Sequence, residues 1–154
     1  MRSLLLFLFL LGVSCSGQKR LPKDRDVSSS QNSKELQLVL QDNYSGVEQT
    51  EFQVIRDSKA LKNFFLQINK TRKPGLPIPE VDFSRELLLV YCAGTSLGID
   101  RSELVIVEDS EDNIVIGLKE HTSVEKEYPN VATMPFCIYK MPLTPKKISF
   151  QKLK

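Results

Sequence analysis

Six consecutive residues, Leu87-Leu88-Leu89-Val90-Tyr91-Cys92, are apolar at every position. Side chains alternate across a strand, so a strand of this composition is dry on both faces. It reads as a central strand, covered above and below. Asp82-Phe83-Ser84 leads into it and Ala93-Gly94 ends it. Any fold proposed for this chain has to supply both covers.

The flanking sequence offers the parts. Leu36, Leu38 and Leu40 alternate with polar neighbours, and Phe52-Gln53-Val54-Ile55 follows the turn at residues 43–46. Asp57 or Ser58 can cap a helix. Ala60, Leu61, Phe64, Phe65 and Ile68 then recur at helical spacing, while Lys59, Lys62, Asn63 and Lys70 decorate the other side. The pattern predicts a helix over about 58–70, stopped before Pro74-Gly75. Residues 76–80 carry two prolines and read as a crossover loop. Further strands are expected at 104–107, 114–118, 134–141 and 148–150. Seven or so strands and one helix predict a single α+β domain over residues 34–154. Its form is expected to be a curved antiparallel sheet packed by that helix.

The whole chain has 154 residues, 41% of them hydrophobic with 8 Phe, which suits one domain with short appendages. Its formal charge is only +2, far from the basic stripe of a nucleic-acid binder, so no nucleic-acid partner is expected.

The first fourteen residues read as a signal peptide. Arg2 supplies the positive end, and residues 4–11 are an unbroken run of Leu and Phe. Eight residues make about 12 Å of helix against roughly 30 Å of hydrocarbon, too short for a permanent span. Gly12-Val13-Ser14-Cys15 follows, and small residues ahead of a cysteine resemble the lipobox of bacterial lipoproteins. Gly12 stands where that pattern most often has Leu. The resemblance implies acylation of Cys15, and several acyl chains hold a protein durably on a membrane. Residues 16–33 contain only Leu21 and Val27 as sizeable apolar side chains. Residues 15–33 are therefore expected to be the acylated cysteine and a flexible tether.

Few residues can carry chemistry. The single histidine, His121, lies in the polar Glu120-His121-Thr122-Ser123 without a neighbouring motif and reads as solvent-exposed. One His and three scattered Cys give no zinc-ligand spacing, and no phosphate-binding glycine loop is present. No catalytic residue, metal or cofactor is expected. Cys92 and Cys137 both fall in predicted strands of an exported protein, either as a disulfide or as two buried thiols. Charge is uneven: residues 103–127 hold eight acids against two lysines, and residues 140–154 hold five lysines and no acid. Such blocks either steer a partner or guard solvated strand edges. Asn43-Tyr44-Ser45 and Asn69-Lys70-Thr71 match the glycosylation pattern, which a bacterial lipoprotein normally leaves unmodified.

The order of segments carries a resemblance. Phe52-Gln53-Val54-Ile55 runs into the Asp57-led helix, then Pro79-Glu80-Val81-Asp82-Phe83-Ser84 and the apolar strand. Gly94-Thr95-Ser96-Leu97-Gly98 and Pro135-Phe136-Cys137-Ile138-Tyr139-Lys140-Met141-Pro142 complete it. Together, over residues 44–150, they resemble the PrcB-like C-terminal domain family, named for a lipoprotein that stabilises a bacterial surface protease complex as a non-catalytic subunit. Gly98 is followed by Ile99 where family members often carry an aromatic. The resemblance implies no catalytic residues. It implies a lipid-anchored protein of the bacterial envelope, at the outer membrane, with an envelope protein as its partner. A partner-binding loop is expected at residues 94–101, carried by Gly94, Thr95, Ser96, Gly98 and Arg101. A periplasmic receptor for a small ligand or glycan is the other reading, and it needs a deep pocket. Oligomeric state is left open.

Overall fold

The computed structural model describes residues 36–98, 102–119 and 130–153. Its elements are β1 (Gln37–Asp42), β2 (Glu51–Ile55), α1 (Ser58–Ile68), β3 (Glu86–Cys92), β4 (Ser96–Leu97), β5 (Glu103–Asp109), β6 (Asn113–Lys119), β7 (Ala132–Thr133), β8 (Phe136–Pro142) and β9 (Lys147–Lys152). The α+β class matches the sequence, as does the one helix among the described residues. No helix among the described residues is long and apolar enough to cross a membrane.

The apolar run is β3, an inner strand of a four-stranded antiparallel sheet ordered β1-β8-β3-β2. Both covers are present. Leu88, Val90 and Cys92 face α1 and pack with Leu61, Phe64, Phe65 and Ile68. Leu87, Leu89 and Tyr91 face a second sheet and pack with Leu104, Ile114, Ile116 and Leu118. The order is thus helix, four-stranded sheet, three-stranded sheet. Lys140, opposite Leu88 in register, reaches Glu86 in an ion pair of 3.0 Å, which keeps its charge at the end of the helix-facing layer.

The single seven-stranded antiparallel sheet is corrected. Strands β5, β6 and β9 form their own sheet, in which β6 and β9 run parallel, and β4 and β7 make a two-stranded ribbon. The physical reason lies in the faces. Ile114, Ile116 and Leu118 pack onto the Leu87, Leu89 and Tyr91 face of the central sheet, so β6 lies over that face as a second layer and not beside β3 as a further strand. Gly117 on the opposite face is closely covered: a Cβ there would stand 2.4 Å from Val107 Cγ2 and 2.8 Å from Leu153 Cδ1.

Helix α1 starts as expected, with Asp57 Oδ1 accepting from the Ala60 amide at 2.8 Å. It ends two residues early. The Asn69 side chain accepts from the Leu76 amide at 2.8 Å and donates to the Leu76 carbonyl at 2.9 Å, fastening the crossover back to the helix end. Arg72 then locks this corner to β1, with hydrogen bonds to both Asp42 carboxylate oxygens and to the Tyr44 and Ile68 carbonyls.

The disulfide alternative is also corrected. Cys92 and Cys137 are buried thiols that are not bonded to each other. Tyr91, not Cys92, stands opposite Cys137, so Cys92 points to the helix side and Cys137 to the sheet side. Thiols on opposite faces of one sheet cannot meet without moving backbone.

Candidate functional site

The segment singled out in the sequence is mostly held in place by backbone. Ala93 donates its amide to Pro135 at 2.8 Å, and its carbonyl accepts from Thr50 Oγ1 at 3.0 Å. Gly94 is buried at φ 80°, where a Cβ would lie 2.9 Å from the Glu48 carbonyl oxygen and from the Thr50 amide nitrogen. Only glycine allows β3 to turn this close to the approach of β2. Thr95 donates to the Glu48 carbonyl at 3.0 Å. Ser96 and Leu97 then pair with Thr133 and Ala132. Gly98, again at positive φ, donates to Val131 at 2.9 Å and accepts from Thr133 Oγ1 at 2.6 Å.

The expected loop is therefore a ribbon clamped on both sides. Gly94 and Gly98 are buried and shape it, Thr95 is exposed, and Ser96 is half-buried in β4. Arg101 lies outside the described residues, as do Cys15 and His121. The side chains the ribbon offers are ones the sequence did not nominate: Leu97 is 60% exposed and Val131 52% exposed, with Ala132 exposed between them in the chain pairing. An isolated Leu between Ser96 and Gly98 was the available signal. Val131, from a distant part of the chain, gave none until β7 was paired with β4.

Cys92 offers no nucleophile at neutral pH. Burial pushes the Cys92 thiol from its ordinary 9.0 to about 12, the nearby Glu51 carboxylate adds to this, and a hydrogen bond with Ser45 opposes it. It stays protonated at neutral pH. The folded state thus holds this proton more tightly than the unfolded chain. Its contribution to stability is complete below 9.0 and is lost as pH rises toward 12. The Tyr139 phenol, raised chiefly by burial and further by Cys137, acts in the same direction. Urea unfolding between pH 9 and 12 should show Cys92→Ala with a pH slope shallower by about 1.4 kcal/mol per unit. An unchanged slope would show that the Cys92 thiol is not dry.

The two charge blocks meet. Lys146 Nζ lies 2.7 Å from Asp109 Oδ1, and Lys147 donates its amide to the Asp112 carbonyl at 2.9 Å. The basic end thus lies beside the acidic turn in one sheet, which favours a solvated, self-neutralised edge over a steering face. Asp82 serves its own turn, accepting from the Ser84 amide at 3.0 Å and from its hydroxyl, and these bonds hold its carboxyl below the usual range. No group of three or more His, Cys, Asp or Glu among the described residues is placed to hold a metal.

No known protein-family model matches the chain, and neither a curated protein nor a solved structure does. The PrcB-like resemblance therefore rests on the sequence segments alone.

Proposed function

We propose that this is a lipid-anchored protein of the bacterial envelope, acylated at Cys15 and held at the outer membrane. Its domain, residues 34–154, binds another envelope protein without catalysing a reaction. An accessory role beside a protease complex is the form the PrcB-like resemblance gives to this reading. The observation that carries it is the β4–β7 ribbon, which presents Leu97 and Val131 to solvent from a backbone fixed by buried glycines. Apolar side chains on a rigid support lose little entropy when a partner covers them. The small-ligand alternative draws less support. Phe64, Phe65 and Leu88, the side chains around which an interior pocket would have to open, are buried against one another. A recess beside Tyr91, Ser102 and Cys137 holds only about 10 Å³, and the larger cleft of about 290 Å³ beside Lys62, Leu66 and Ile78 is open to solvent and not the deep pocket a small ligand needs.

The test is mild crosslinking in cells, detergent extraction and mass spectrometry of the tagged full chain, with Cys15→Ala as the anchor control. An acyl-modified Cys15 and one stoichiometric envelope partner are expected. The double variant Leu97→Ser/Val131→Ser should recover that partner at least about tenfold less well with an unchanged melting temperature. An acylated protein recovered alone would remove the accessory reading, and full recovery by the double variant would move the interface off the ribbon.

A further inference from the structure

We infer that the outer face of α1 is a docking surface for an anionic lipid bilayer. Lys59, Lys62 and Leu66 follow one another at helical spacing, and Lys70 continues the stripe just past the helix end. All four are exposed, opposite the buried Leu61, Phe64, Phe65 and Ile68. Residues 58–79 contain five basic side chains and not one acid. Arg72 is occupied by Asp42, and the other four basic side chains are exposed. Asp57 and Glu80 bracket the segment, with Asp57 turned to the helix cap.

Within this basic field sits an apolar centre. Leu66 is 71% exposed and Ile78, on the crossover, is 46% exposed. With Lys62, Phe65 and Asn69 they line an open cleft of about 290 Å³. Lysines around a small apolar tip fit a headgroup layer over an acyl boundary, where each lysine gains from anionic lipid while Leu66 and Ile78 leave water. A protein partner fits less well, because lysine is depleted at interface cores and aromatic or arginine anchors are absent from this stripe. A nucleic acid fits less well too, since the aromatic rings of α1 face the core and cannot stack on bases.

The inference deepens the envelope reading and rests on it only for the nearness of a membrane.

The full chain carrying an environment-sensitive dye at Asn63→Cys tests it, since Asn63 is exposed beside the stripe. Fluorescence shift and quenching by brominated lipid are read on phosphatidylcholine vesicles with and without phosphatidylglycerol. Acylation of Cys15 is read by mass on the same sample, and an unacylated chain is offered vesicles from solution, so anchor and face can fail separately. Contact on phosphatidylglycerol that disappears on the neutral lipid and in high salt is expected. Replacing Lys59, Lys62 and Lys70 with Gln should lower the bound-to-free ratio of the face about 100-fold, from roughly fivefold per lysine, while Arg replacements retain it. Equal contact on both lipids, no contact on phosphatidylglycerol, or full contact by the Gln variant would overturn the inference.

Discussion

Gly94→Ala should destabilise the domain by about 2–4 kcal/mol, through left-handed backbone strain and through overpacking. The added methyl would sit 2.9 Å from the Glu48 carbonyl oxygen and the Thr50 amide nitrogen. Both are backbone atoms, so neither can swing aside as a side chain would. Gly46→Ala is the matched control. Its φ is also positive, at 70°, but a methyl there meets only Tyr44 Cε1 at 4.0 Å. That variant should lose only about 1 kcal/mol, the strain alone. Urea midpoints of the two variants at a common slope measure the difference. Equal losses would mean that the approach of β3 to residues 48–50 is looser than described.

This result bears on how the candidate surface is to be probed. The sequence nominates residues 94–101 because glycine, threonine and serine end an apolar strand, and such composition marks a turn. It does not distinguish a glycine that shapes the turn from a side chain that meets a partner. Gly94 and Gly98 prove to be of the first kind. A Gly94 variant that loses a partner therefore reports unfolding, whereas Leu97→Ser and Val131→Ser change only exposed side chains. Surface substitutions of that sort usually alter stability within about 0.5 kcal/mol.

Legibility followed the strength of periodic signals. The helix was readable because five apolar residues repeat on one face, and its end was misplaced because Asn69, whose backbone amide still bonds the Phe65 carbonyl, uses its side-chain carboxamide to fasten Leu76 and turn the chain away. The need for two covers on β3 was readable from six apolar residues. Which strands form the second cover was not. Alternation in β6 tells that one face is dry, but nothing in it says that β9 lies alongside in parallel. The cysteines illustrate the same gap. Each was correctly placed in a strand, yet the face each takes depends on a register set by distant turns. Two-residue strands such as β4 and β7 are too short to carry any period, and the exposed Leu97 lies in β4 while Val131 stands just ahead of β7.

The two-cover arrangement has the strongest mutational signature in the molecule. Leu88 and Leu89 are adjacent in the chain and both are fully buried, but they belong to different layers. Leu88 stands opposite Ile55 and faces α1, whereas Leu89 stands opposite Val54 and faces β5, β6 and β9. Leu88→Ala and Leu89→Ala should each cost about 2–5 kcal/mol, the range for a buried leucine that leaves a cavity. A sheet covered by the helix alone would make the second change nearly free, because Leu89 would already face water. The domain has no Trp, so unfolding is followed by tyrosine fluorescence and by far-ultraviolet circular dichroism. Tyr91 and Tyr139 report the sheet-to-sheet layer, and circular dichroism weights α1. Coincident transitions in both variants mean that the layers unfold together through β3. If Leu89→Ala shifts the tyrosine transition alone, the outer sheet opens first. The helix-facing core would then stand as a separate unit of higher stability.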